Sequence, residues 1–248
     1  MKTKHYLLPF LLLISVSVWS QKMEGTVTYE KTYRWTKLYA RQTHLTNEEK
    51  DRMKMVWGDK DEYKRDMVLY FNENQSYYTY PKEKESEGGW SGRDREFRIY
   101  RNFETEKRTD IIEMLGKTFV IEDSLKTPKW KVMNKIREIG GYMCMMAVTE
   151  DTIKNQKLTA WFADNISVSA GPELYSGLPG LILELEVNEG DIVVTAKKIE
   201  LKPLTENINV PAKLKGKKID NKKYDELLWT HIRDSQKARR DPFWAIQY

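Results

Sequence analysis

The chain changes its hydrophobic period several times. Over residues 23–35, MEGTVTYEKTYRW, positions alternate: Val27, Tyr29 and Lys31 fall on one face and Thr26, Thr28 and Glu30 on the other, which predicts a strand. Over 45–58, LTNEEKDRMKMVWG, the period lengthens. Thr46 and Glu49 have capping-box spacing, Met53, Val56 and Trp57 sit at i, i+3 and i+4, and Gly58 ends the run, so a short amphipathic helix is expected near 46–57. Residues 63–81 place the polar turn NENQ between two aromatic-rich strands. Short strands are predicted at 97–104, 117–122, 129–134, 141–149 and 156–163. A further hairpin follows in LILELEV-NEGD-IVVTAKKIEL, where Leu181, Leu183, Leu185 and Val187 share one face and Glu184 and Glu186 the other. From about Asn221, Tyr224, Leu227, Leu228 and Ile232 form a helical stripe. The predicted fold is mainly β: a curved antiparallel sheet or incomplete (half) barrel, with the 46–57 helix and a C-terminal helix from about 220 packed on it.

The first twenty residues read differently. Lys2 and Lys4 precede the apolar run YLLPFLLLISVSVW, and Val18 and Ser20 are suited to cleavage before Gln21. This is the order of a secretory signal peptide, and the run is short for a membrane span. The expectation is a signal peptide at 1–20 and a single β-rich domain over 21–248. The protein is then exported, to the periplasm or the periplasmic face of the outer membrane, and does not span the membrane after cleavage. Residues 82–96, KEKESEGGWSGRDRE, predict a charged, glycine-rich loop.

Composition narrows the function classes. The formal net charge is +5, and cleavage would remove two lysines from it, so no strong electrostatic pull toward nucleic acid or a membrane surface is expected. One cysteine excludes an internal disulfide framework in an exported chain. Eight Trp, fourteen Tyr and seven Phe supply a core instead. High charge beside high aromatic content predicts thin sheets with one wet face.

The stretch AGPELYSGLPGLILELEV, 170–187, concentrates turn chemistry ahead of an apolar strand. In Leu178-Pro179-Gly180-Leu181, proline at i+1 and glycine at i+2 match a type II turn, with Gly180 expected at positive φ. Gly171, Pro172 and Gly177 allow a second change of direction upstream. The same residues carry a resemblance. Gly177–Ile182 spell the hexapeptide of the GLPGLI family of exported Gram-negative envelope proteins, and IGGYMC, LTAWFADNISVSAGP and GKKIDNKKYDELL resemble its flanking pattern. The resemblance implies a β-rich, half-barrel envelope protein and brings no catalytic residue with it.

Candidate chemistry is sparse. Beyond the leader, His44 and His231 lie in distant segments, so no nucleophile–histidine arrangement is visible and the chain does not read as an enzyme. Glu184 and Glu186 stand roughly 7 Å apart on one strand face, as paired acid–base carboxylates can, but alternation makes them the wet face of an amphipathic strand. Met143, Cys144, Met145 and Met146 are soft ligands of the kind that hold Cu(I). Strand geometry divides them, Met143 and Met145 to one side and Cys144 and Met146 to the other, so Met133 or His44 would have to assist. The basic segment 211–240 reads as a solvated face.

Three readings follow. The first is a non-catalytic periplasmic binding or carrier module holding an apolar small molecule or envelope component in the hollow of the sheet, without a cofactor. The second is an accessory subunit docking on an outer-membrane receptor or another envelope protein through edge strands and the 82–96 loop. The third is a Cu(I)-handling protein. Nucleic acid is not an expected partner.

Overall fold

The computed structural model describes residues 23–82, 95–244 and 246. The predicted signal peptide and most of the predicted 82–96 loop lie outside the described residues. The chain runs through β1 (Gly25–Arg34), α1 (Trp35–Ala40), α2 (Asn47–Trp57), β2 (Glu62–Phe71), β3 (Gln75–Thr79), β4 (Phe97–Asn102), β5 (Lys107–Met114) and β6 (Lys117–Ser124). It continues through β7 (Lys131–Ile139), β8 (Tyr142–Asp151), β9 (Gln156–Ala163), β10 (Leu181–Val187), β11 (Ile192–Glu200), β12 (Lys217–Ile219) and α3 (Asn221–Lys237). The twelve strands form one open sheet in the order β12-β6-β5-β4-β3-β2-β1-β11-β10-β9-β8-β7. Neighbours pair antiparallel except β12, which runs parallel to β6.

The mainly β architecture with a C-terminal helix agrees with the sequence pattern, and the sheet stays open. It must also curl. Eight interstrand steps separate β6 from β9, roughly 38 Å if the sheet were flat. The 17-residue α3 is only about 25 Å long. Yet its first residue, Asn221, donates its backbone N–H to Asp123 Oδ2 of β6 at 3.1 Å, while Ile232 and Gln236 share a pocket wall with Gln156, the first residue of β9. Asp123 and Ile153, from opposite arms of the sheet, line another pocket together. The helix therefore spans the mouth of a curled sheet.

One large apolar cluster fills the hollow. Val27, Tyr29, Leu69, Phe71, Phe162, Leu183, Leu185 and the helix residues Tyr224, Leu228 and Ile232 all belong to it. The outer face is not left wet throughout. Residues 201–216 cross it and pack Leu204, Ile208 and Leu214 on Tyr77, Tyr100, Ile111 and Val120, with Tyr77 and Tyr100 stacked at 4.4 Å. The expectation of thin sheets with one wet face thus fails over β3–β6, where apolar residues on both faces find cover.

Two local expectations also change. The capping box at Thr46 and Glu49 forms, but α2 buries none of its residues, and Val56 is 66% exposed. Trp57 anchors it, stacked on Trp35 at 5.5 Å and on Tyr39 at 6.4 Å. Gly180 does not take a positive φ, so the type II turn is not what requires glycine there. A Cβ at Gly180 would run into the Ala163 carbonyl, and one at Gly171 would lie 2.7 Å from Tyr175 O. Close backbone approach explains both glycines, while Gly177 is the one of the signature at left-handed φ.

Candidate functional site

The alternation of β1 sends Val27, Tyr29 and Lys31 inward, and Lys31 is accordingly 3% exposed. A buried ammonium is tolerated only when paired. Its partner is Glu173 Oε1 at 3.0 Å, and the Tyr78 hydroxyl donates to the same oxygen at 2.9 Å. Glu173 comes from the irregular 164–180 crossover and sits at φ +59°, a conformation costly for a residue with a side chain. Burial alone would lower the Lys31 pKa; Glu173 and Tyr33 beside it carry the net shift upward. Burial, reinforced by Glu173, raises the Tyr78 hydroxyl well above the ordinary tyrosine range.

Around this pair the hollow becomes polar and aromatic toward one end. Lys31 lies 5.1 Å from the Tyr33 ring centroid, and Arg65 lies 5.0 Å from that of Tyr80. Tyr175 donates to Asp151 Oδ2 at 3.1 Å. Lys154, in the turn between β8 and β9, feels Asp151, Lys31 and Glu173 together, and burial pushes its pKa down. Lys154 also lines a pocket of about 600 Å³ between that turn, the 40–43 segment and the C-terminal half of α3. Arg41, Gln42, Gln156, Trp229 and Arg233 line the same pocket. A second pocket of about 370 Å³ shares Arg41, Asn155, Gln156 and Asn188 with it.

Sequence reasoning misses this region, although one signal is present. A lysine at an inward position of an otherwise apolar strand face already demands a buried acid. Glu173 stands inside the turn-rich stretch, where the turn chemistry accounts for its neighbours and hides it.

The sequence-predicted residues fall elsewhere. Cys144 is fully buried in β8, its Sγ 3.5 Å from Tyr142 O, and burial pushes its thiol up to about 11, so it stays protonated. Met143 is 53% exposed, Met145 and Met146 are half-buried against the core, and Met133 is the register partner of Met146. The four sulfurs are thus divided between interior and solvent. Among the described residues no group of three or more His, Cys, Asp or Glu is placed to hold a metal. His231 donates from Nε2 to Pro242 O at 2.8 Å, and the His44 carbonyl accepts from Arg239 at 2.8 Å; neither histidine is brought to Cys144 by these contacts.

Glu184 and Glu186 are not a wet face. Glu184 is buried, ion-paired with Arg137 and accepting from Thr195 at 2.9 Å, while Arg137 stacks over Trp161 and lies 3.7 Å from Glu186. Burial, reinforced by Glu184, raises the Glu186 pKa. The edge strand β7 supplies the arginine, whose side chain reaches across Trp161 to Glu184 and covers what alternation alone would expose. Gly171, Pro172, Gly177, Pro179 and Gly180 all lie in the crossover that delivers Glu173.

Comparison with known proteins bears on this region directly. No curated protein matches the chain. Among solved structures, the fold is similar to that of PNGF-II in its P21 and C2 crystal forms, with TM-scores of 0.53 and 0.52 at 15% identity. In both, 84% of this chain is covered, and it spans about a third (33%) of the PNGF-II chain. A weaker likeness, TM-score 0.37 at 6% identity over 80% of this chain and 91% of the other, is to an uncharacterized conserved protein from Thermus thermophilus. No helix among the described residues is long and apolar enough to cross a membrane. Residues 148–184, which carry Asp151, Lys154, Gln156, Glu173 and Tyr175, match the family described as "Protein of unknown function (Porph_ging)".

Proposed function

We propose that the protein is a non-catalytic binding module of the GLPGLI type, exported to the periplasm or the periplasmic face of the outer membrane. Its ligand site is the rim pocket beside the Lys31–Glu173 pair. One observation carries this reading: the apolar hollow is filled by the chain's own side chains, including those of α3, whereas about 600 Å³ remains open at the polar rim. The reading accordingly moves from an apolar ligand to a polar one. The left-handed Glu173 supports it, because strain of this kind collects where ligands are held.

The test is the intact mass of the mature protein purified from its own envelope under native conditions. An added mass that is lost on denaturation, and lost from the Trp229→Ala protein, is expected. A bare polypeptide mass together with an unchanged Trp229→Ala protein would count against the rim pocket.

A second reading, an accessory subunit docking on an outer-membrane receptor, has support of a different kind. Val132 and Ile136 on edge strand β7, and Met143 beside them on β8, are each at least half exposed. Co-purification of an envelope partner that is lost from an Ile136→Lys protein would favour that reading instead.

A further inference from the structure

The rim pocket contains a side chain that the fold does not explain. Gln156 is 3% exposed, yet neither its Nε2 nor its Oε1 has a hydrogen-bond partner among the described residues. Leaving both halves of a buried amide unpaired is costly, because each has given up its hydrogen bonds to water, and buried polar groups are ordinarily satisfied. Gln156 lines both rim pockets. A group entering by that route satisfies it if it offers a donor and an acceptor at one place. A hydroxyl group does so.

The rest of the wall describes the same ligand more fully. Gln42, Asn155, Asn188 and Gln236 add four more side-chain amides, and Trp229 presents a half-exposed indole. An aromatic face beside several amides suits a ring that is apolar on one side and carries hydroxyls around its edge. The larger pocket carries charge of one sign. Arg41, Lys154 and Arg233 line it and among the described residues no carboxylate does, whereas Glu150, Asp151 and Glu189 line the smaller one. The acids that pair with the two arginines, Asp191 and Asp234, are not among the lining residues. Arg233 lies over one face of the Trp229 ring at 4.6 Å, so a ring stacks only on the opposite face, with a cation close by. The depressed pKa of Lys154 agrees with this arrangement, since a ligand anion would add counter-charge beside its buried ammonium. A peptide is less suited. The pocket is walled by a turn, a loop segment and a helix, none of which offers the ladder of backbone groups by which extended peptides are held.

Resting on the rim-pocket reading of the preceding section, we propose that the ligand is an acidic saccharide: a sugar ring stacked on Trp229, a ring hydroxyl bridging Gln156 Nε2 and Oε1, and a carboxylate facing Arg233 and Lys154.

The test is titration calorimetry of the full mature chain with short oligomers of galacturonic acid and, in parallel, of galactose. The acidic oligomer is expected to bind at least about tenfold more tightly than the neutral one. Gln156→Leu is expected to weaken that binding by about tenfold or more while leaving the unfolding midpoint unchanged or raised, because an unpaired buried amide is replaced by an apolar group of similar size. Arg233→Gln should weaken the acidic oligomer alone. Equal binding of the two oligomers overturns the acidic assignment and leaves a binding module. Failure of both oligomers to bind a protein that carries a tightly held mass from its own envelope overturns the saccharide assignment only. Failure of both with a bare protein overturns this proposal and the rim-pocket reading together. A Gln156→Leu protein that unfolds more easily and binds the acidic oligomer as well as the parent does would make Gln156 a structural residue and overturn its role here.

Discussion

Two buried charge networks lie in this molecule, and they differ in how they are built. Asp110 of β5 is fully buried and takes both Arg101 and Arg108, while Arg108 also donates to Asn221 Oδ1 of α3 at 2.7 Å. Every member sits on a regular strand or at a helix start. The Lys31–Glu173 pair has one carboxylate for its ammonium, comes in part from an irregular crossover, holds its glutamate at positive φ and adjoins an open pocket through Lys154. The first network fastens the helix to the sheet. The second is the kind of local compromise that folds accept where they meet a ligand.

The largest effect should come from alkali, which acts on both networks. Burial raises the hydroxyl pKa of Tyr29, Tyr78, Tyr175 and Tyr224, and Lys31 is raised by its partners against the opposing effect of burial. Each binds its proton more tightly folded than unfolded. Their stabilising contribution is therefore complete below the unfolded values of about 10 and is lost as pH rises through the folded ones. Stability should hold up to about pH 10 and then fall steeply. Phenolate absorbance from these four tyrosines should appear together with the loss of β circular dichroism; its appearance well before unfolding would contradict the burial described here.

Asp110→Ala comes next. It strands Arg101, itself buried, and should cost about 3–5 kcal/mol in denaturant unfolding. Glu173→Gln should cost less, about 2–3 kcal/mol, because the amide oxygen that replaces the carboxylate still accepts from Lys31 and Tyr78. If Glu173→Gln proves the costlier, the contrast between a fastening network and a site network is broken. The smallest effect sharpens it. Replacing the pair and the hydroxyl that donates to it by apolar residues, Lys31→Met and Glu173→Leu with Tyr78→Phe, should change stability by less than about 1.5 kcal/mol, since well-packed apolar substitutes for a buried ion pair are often neutral and no buried donor is left unpaired. The same triple change should abolish ligand retention. A stable triple variant that still carries its ligand would separate the pair from the site.

The elements that could be read from sequence are those in which local pattern and burial agree. β1, the β2–β3 hairpin, the β10–β11 hairpin and α3 each carry a period that their surroundings respect. β5 is hidden in sequence because KRTDIIEM has a charged start and buries neighbouring residues on both faces, which erases alternation. β12 lies inside the basic segment that reads as a solvated face; only its parallel partner β6 makes Lys217–Ile219 a strand. The candidate site is legible at one position, the inward-facing Lys31. Glu173 and Gln156 reach it through tertiary contact, and nothing in their own neighbourhoods signals a buried polar role.

The place of β1 in the sheet also governs how the molecule comes together. It lies between β2, which follows it closely in the chain, and β11, which pairs with it through contacts such as Val27 to Ile199. The β1–β6 and β7–β11 meanders can each assemble from nearby segments, but they become one sheet only when the first strand meets one of the last. That closure spans most of the chain, so it should be the slow step of folding. Until it occurs, β1 and β11 are both open edges with apolar faces, and the half-folded chain is at its most prone to pair with another copy of itself.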